Sequence, residues 1–172
     1  PEVELMLNPS SEIVDLRPGG IDVAIRYGFG SWRGVDAELL VPTTYVLVGA
    51  PALIGTRQIA QPSDLVDLPW LQELGTSEMS AWLRDRGVAA PRKENVIHLP
   101  GHLVLDGLRN GDGVSLTARV LVERELAAGR LRILFEEAPP GLGYHIITRP
   151  GVLRGPAKAF VAWLRRHAQG RP

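Results

Sequence analysis

Side chains capable of acid–base, nucleophilic or metal chemistry are present in this chain, but not in the patterns such chemistry needs. There are four histidines, His98, His102, His145 and His167. His98 and His102 stand four apart, the spacing that puts two metal ligands on one helical face. Pro100-Gly101 lies between them and prevents one continuous helix. Ser115 sits in Gly113-Val114-Ser115-Leu116-Thr117, which lacks the second glycine of a nucleophile elbow. Glu136 and Glu137 are adjacent, so on a strand they face opposite ways; a solvated strand end is favoured over an acid/base pair. The only lysines, Lys93 and Lys158, follow no glycine-rich loop that could cradle a phosphate. Gly28-Phe29-Gly30-Ser31-Trp32-Arg33-Gly34 has one residue too many before its last glycine to be a dinucleotide loop. It also puts Trp32 and Arg33 where small side chains are needed, so it reads as a surface turn. With no cysteine in the chain, disulfides, thiol nucleophiles and iron–sulfur ligation are excluded. No catalytic residue, no metal site and no cofactor is expected. Trp32, Trp70, Trp82 and Trp163 lack the interleaved basic residues of a base-stacking platform and read as packing residues.

What remains is hydroxyls and backbone amides at the starts of helices, and the elements decide where those fall. Period-two apolar spacing predicts a strand at Val3–Leu7, and near-continuous apolar runs predict buried strands at Ile21–Ile25 and Tyr45–Val48. Pro69–Leu71, Val96–Leu99, Val114–Leu116, Leu131–Phe135 and Tyr144–Thr148 read as further strands. Helices are expected at Ser10–Arg17, Glu78–Arg86, His102–Asn110, Val120–Ala128 and Ala157–His167. Gly87, Gly111 and Gly129 follow three of them, where a left-handed cap is wanted. Strands alternating with helices through short Gly/Pro turns predict an α/β protein with largely parallel sheets.

The 172 residues carry 19 basic and 19 acidic side chains, a balance that argues against a nucleic-acid-binding module within this span. Leu39–Thr56 has no charged residue and is about the minimum length of a membrane-spanning helix, but Pro42 and Pro51 break it. It reads as strand, turn, strand and the start of a helix. Glu2 and Glu4 stand where a secretory leader would be basic, so a cytoplasmic location is expected, with no membrane association.

The segments also follow a familiar order. Pro1–Leu7 is followed by Val14-Asp15-Leu16-Arg17-Pro18-Gly19-Gly20-Ile21-Asp22-Val23-Ala24-Ile25-Arg26-Tyr27-Gly28, then Trp32-Arg33-Gly34-Val35. Pro62-Ser63-Asp64-Leu65, Gly107-Leu108-Arg109-Asn110-Gly111-Asp112-Gly113-Val114-Ser115-Leu116 and Glu125–Leu131 complete the series. In that order the chain resembles the effector-binding domain of LysR-type transcriptional regulators, in the branch of the glycine-cleavage and β-lactamase regulators. The resemblance implies a type II periplasmic-binding-protein-like α/β fold, two Rossmann-like lobes joined by two crossover strands. Lobe I would be residues 1–42 and 141–172, and lobe II residues 43–140. The first strand and helix of lobe I and the family's N-terminal DNA-binding segment have no counterpart here, so the span is expected to be N-terminally truncated.

The implied partners are a small-molecule effector in the inter-lobe cleft, expected to be a carboxylate-bearing metabolite, and a second copy in a homodimer or homotetramer. DNA would be reached only through the N-terminal domain absent from this span. A periplasmic solute-binding protein of the same fold is the alternative, and an enzyme of that fold is disfavoured by the missing acid–base pair. Ligands of open α/β sheets bind beyond the carboxyl ends of the strands, where helix starts offer free N–H groups to an anion. That places candidate effector contacts at Asn8-Pro9-Ser10-Ser11, at Thr76 and Ser77, and at Gly101 and His102. On the family pattern Tyr27 would stand at the pocket edge and Tyr144 on its floor.

Overall fold

Tyr45-Val46-Leu47-Val48 is apolar without interruption, a pattern that is stable in a strand only when both faces are covered. The computed structural model, which describes residues 4–10, 14–17, 19–151 and 153–168, places this run in such a strand. In chain order the elements are β1 (Ala24–Gly28), β2 (Asp36–Pro42), β3 (Tyr45–Gly49), α1 (Pro51–Ile54), β4 (Trp70–Glu73), α2 (Glu78–Arg84) and β5 (Val96–Leu99). They continue with α3 (Gly101–Asn110), β6 (Ser115–Ala118), α4 (Arg119–Ala127), β7 (Arg132–Glu137), β8 (Gly143–Thr148) and α5 (Gly155–Ala168). The chain divides into two compact units, Pro1–Thr43 with Ala138–Pro172, and Thr44–Glu137.

In the second unit β3 is the central strand of an antiparallel sheet ordered β6-β3-β7. Side-chain alternation sends Leu47 to one face and Val46 and Val48 to the other, and each face has its own core. Leu47 packs with Ile54, Leu65, Trp70, Trp82, Leu83 and Val114. Val46 and Val48 pack with Leu71, Val104, Leu108, Val122 and Leu131. β4 supplies both cores through Trp70 and Leu71, and the Trp70 indole N–H donates to the Leu65 carbonyl at 3.0 Å, so its one polar atom is satisfied in the core. β4 pairs in parallel with β5, and Trp70 bridges Val114 in parallel. α3 lies against β4 and stops at Gly111, whose φ of +81° provides the left-handed cap.

The first unit holds an antiparallel sheet ordered β1-β8-β2, with α5 packed on β2. Arg165 of α5 reaches Glu38 of β2 through two bonds, at 2.8 and 2.5 Å. Val161 on the inner face of α5 is buried, whereas Trp163 stays 46% exposed, stacked on Phe160 and in tilted contact with His167.

Several expectations differ from the structure. The sheets are not largely parallel: among the described residues only β4 with β5, and the Trp70–Val114 bridge, pair that way. The strands at the unit connections, β2, β3, β7 and β8, pair antiparallel with their neighbours. The strand expected at Val3–Leu7 is absent from residues 4–7, where Leu5, Met6 and Leu7 are exposed; among the described residues no strand pairs there, and an unpaired strand has no ladder to hold it. Val3 lies outside the described residues. The helix expected at Ser10–Arg17 is not formed at residues 14–17, and residues 11–13 lie outside the described ones.

Candidate functional site

The parallel register of β4 and β5 sets two loops side by side. Glu73 and Leu99 are register partners at the ends of these strands, and Leu74 N–H donates to the Leu99 carbonyl at 2.9 Å. The chain leaves both strands at the same edge, through Gly75-Thr76-Ser77 into α2 and through Pro100 into α3. Thr76, Ser77, Gly101 and His102 therefore gather at the carboxyl ends of two parallel strands, the place where α/β sheets hold ligands.

Each of these residues is presented differently. The Thr76 hydroxyl donates to the Glu73 carbonyl at 2.9 Å, which fixes the turn and leaves the oxygen able to accept. Ser77 holds the N-cap position of α2, yet its side chain makes no capping bond. An exposed hydroxyl at a helix start that is not spent on the cap is free to meet a ligand. Gly101 and His102 form the first turn of α3, after Pro100 at the N-cap, and the His102 ring is exposed. That helix start is not an open anion seat, because the Glu73 carboxyl lies against Gly101. A β-carbon on Gly101 would stand 2.8 Å from Glu73 Oε1. Burial, and then the nearby Glu78 carboxylate, raise the Glu73 pKa above the ordinary glutamate value.

In the first unit Tyr27 and Tyr144 are register partners on β1 and β8, with ring centroids 5.2 Å apart. Asn8, Pro9 and Ser10 lie in an exposed segment without regular structure, and no helix starts among their described neighbours. Ser11 lies outside the described residues. The Gly28–Gly34 turn covers the buried His145. Gly30 has φ +80°, its β-carbon would stand 2.8 Å from His145 Nε2, and Trp32 meets that imidazole edge-on at 5.4 Å. The turn is a packing device. A recess of about 530 Å³ in the same unit is lined in part by Arg26, Arg33 and Arg149, and none of the residues nominated from sequence lines it.

The adjacent acids are both engaged. Glu136 accepts from Arg119 and Thr44, which lower its pKa, and Glu137 accepts from the Trp82 indole N–H and from Arg86. Among the described residues no group of acids and histidines could hold a metal ion, and no helix is long and apolar enough to cross a membrane. The residues missed from sequence are Gln72 and Glu73. Only their position at a strand end immediately before a Gly-Thr-Ser turn could have drawn notice to them.

The LysR substrate binding domain family matches residues 1–169. The AhcY transcriptional activator HvrB of Rhodobacter capsulatus is 33% identical over 169 residues, covering 98% of this chain and 58% of that protein. The glycine cleavage system transcriptional activator of Escherichia coli is 27% identical over 139 residues, covering 80% of this chain and 46% of its own length. The chain thus spans about half the length of these relatives. The effector domain of the regulator AmpR of Pseudomonas aeruginosa superposes with a TM-score of 0.69 at 25% identity, over 91% of this chain and 75% of that one.

Proposed function

This chain belongs to the LysR substrate-binding domain family, and from that premise we propose that it senses a small carboxylate-bearing metabolite for a cytoplasmic, DNA-binding transcription regulator. The regulator would reach DNA through a separate segment and act as a homodimer or homotetramer. The observation that carries the ligand reading is the pair of loops at the carboxyl ends of β4 and β5, one leading into α2 with the uncapped Ser77 hydroxyl and the other opening α3. A hydroxyl there donates to a carboxylate, and a charge-assisted bond of that kind is about twice as strong as a neutral one. Tyr27 and Tyr144, paired across β1 and β8 in the first unit, are the other two residues assigned to the effector on this reading.

A ligand changes a regulator only through unequal affinity for its conformations, so binding must also stabilise the folded chain. At about 100 times its Kd a ligand adds about 2.7 kcal/mol to folding stability. Thermal unfolding against a panel of amino acids, short peptides and other small acids tests the reading. A saturable rise in Tm with at least one of them, weakened by Ser77→Ala, is expected. A panel that leaves Tm unmoved throughout contradicts it.

A further inference from the structure

β4 carries Leu71 and Glu73 on the face turned toward α3, and α3 answers each with a glycine. Gly107 stands over the Leu71 methyl and Gly101 over the Glu73 carboxyl, so a β-carbon at either place would fall within 2.8 Å of the facing side chain. The first contact is apolar packing. The second is the carboxyl group of an exposed residue, lying where a side chain is missing, and among the described residues none donates a hydrogen bond to it or pairs with it. The other acids that pack against neighbouring elements in this unit are engaged: Glu125 with Arg109 and Arg130, Glu136 with Arg119, Glu137 with Arg86.

A second acceptor lacks a donor at the same strand end. Gln72 is 5% exposed, and its amide N–H donates to the Thr76 carbonyl at 2.5 Å, which turns the side chain toward the Gly75–Ser77 loop. Its Oε1 is buried without any hydrogen-bond partner. Buried acceptors are nearly always satisfied, so one left open at a strand end marks a place where a donor is missing. Two acceptors without a donor among the described residues thus adjoin the two loops, beside the exposed His102 and with His98 as the register partner of Gln72.

We propose that Glu73 is a specificity-determining residue that selects effectors bearing a protonated amine, so that the metabolite sensed is an amino acid or a peptide with a free amino terminus rather than a simple acid. This rests on the strand-end site proposed above and assigns its polarity: the ligand ammonium donates to the Glu73 carboxylate, and the ligand carboxylate accepts from the Ser77 hydroxyl. A simple diacid would instead set its second carboxylate against Glu73 and Glu78. The raised pKa of Glu73 has the same origin, since a carboxylate that is partly desolvated and faces a like charge is relieved by a cation.

The test compares matched pairs differing only at the amine: L-alanine with propionate, L-glutamate with glutarate, and L-alanyl-L-alanine with its N-acetyl form. Calorimetric titration of the full chain gives each Kd. At least one amine is expected to bind about tenfold or more tighter than its partner, in line with a charge-assisted bond. Glu73→Gln should bring the two within about twofold, because it removes the charge and keeps the shape. Gly101→Ala provides an independent reading, since its methyl displaces the carboxyl without altering net charge and improves helix propensity, so the fold is kept. It should lower the amine preference as well. Equal binding within each pair, or an amine preference that survives both substitutions, overturns the assignment while leaving an acid-sensing function standing. Failure of every compound overturns the assignment, and a Tm left unmoved by the whole panel of small acids overturns the sensing function with it.

Discussion

The contact between α3 and β4 holds the strand-end loops at their separation, and it makes a quantitative prediction. Leu71 is 1% exposed, and it is hemmed by glycines: a β-carbon on Gly107 would stand 2.7 Å from Leu71 Cδ1, and one on Gly113 would stand 2.8 Å from Leu71 Cγ. Leu71→Ala should cost about 3–4 kcal/mol, because no side chain on either glycine can move into the void. Gly107→Ala on the native background gains about 1 kcal/mol of helix propensity. It loses about 1–3 kcal/mol to overpacking against Leu71, for a net cost of about 0–2 kcal/mol. On the Leu71→Ala background the clashing methyl is gone, so the same substitution should stabilise by about 1 kcal/mol. The two effects of Gly107→Ala therefore differ by about 1–3 kcal/mol, a coupling typical of residues in contact. Urea unfolding followed by tryptophan fluorescence and by circular dichroism measures it, with coincident transitions as the check on two-state behaviour. If Gly107→Ala changes stability equally in both backgrounds, to within about 0.5 kcal/mol, the packing described for α3 is wrong.

Ser77→Ala should leave stability within about 0.5 kcal/mol of wild type, because no capping bond is lost; a loss near 1 kcal/mol in urea would mean the hydroxyl caps α2 after all. Trp82→Phe keeps the ring in the core but removes the indole N–H bonded to Glu137 at 2.9 Å, and about 1–3 kcal/mol should be lost on denaturant unfolding. Gly30→Ala puts a β-carbon into a positive-φ position 2.8 Å from His145, so a loss of about 1–3 kcal/mol is expected, read from the drop in Tm. Glu125 accepts from Arg130 first and from Arg109, and both lower its pKa below the ordinary 4.5. A depressed folded-state pKa contributes stability that is whole above the unfolded value and is lost as pH falls through the folded one. Acid titration of stability should therefore decline below about 4.5 in the native chain and decline less steeply in Glu125→Gln.

Much of the fold is legible where burial and pattern coincide. The uncharged stretch Leu39–Thr56 becomes β2, β3 and α1, as its two prolines imply, and Pro156 does open α5 within its first turn. The second predicted strand is displaced, from Ile21–Ile25 to Ala24–Gly28. Its register against β8 begins at Ala24 with Ile147, and apolar run length alone does not reveal a partner. The antiparallel pairing of β3 with β6 and β7 is hidden for the same reason, since pairing joins segments far apart in sequence. The loops at Thr76–Ser77 and Gly101–His102 could be read as helix starts from local residues. The Glu73 carboxyl at Gly101 could not, because 28 positions separate the two and the contact exists only once β4 and β5 pair. At Asn8–Ser10 the local cap signals were present, but the described neighbours form no helix for them to cap.

The most direct measurement is an amide-resolved NMR titration of the isotopically labelled chain with the small acid that raises Tm most. Saturable shifts centred on Gly75, Thr76, Ser77, Gly101 and His102 are expected, and in Ser77→Ala all five should saturate together only at a higher concentration of the acid. Shifts that leave those five amides still while residues remote from the β4 and β5 ends move would contradict effector binding at this site.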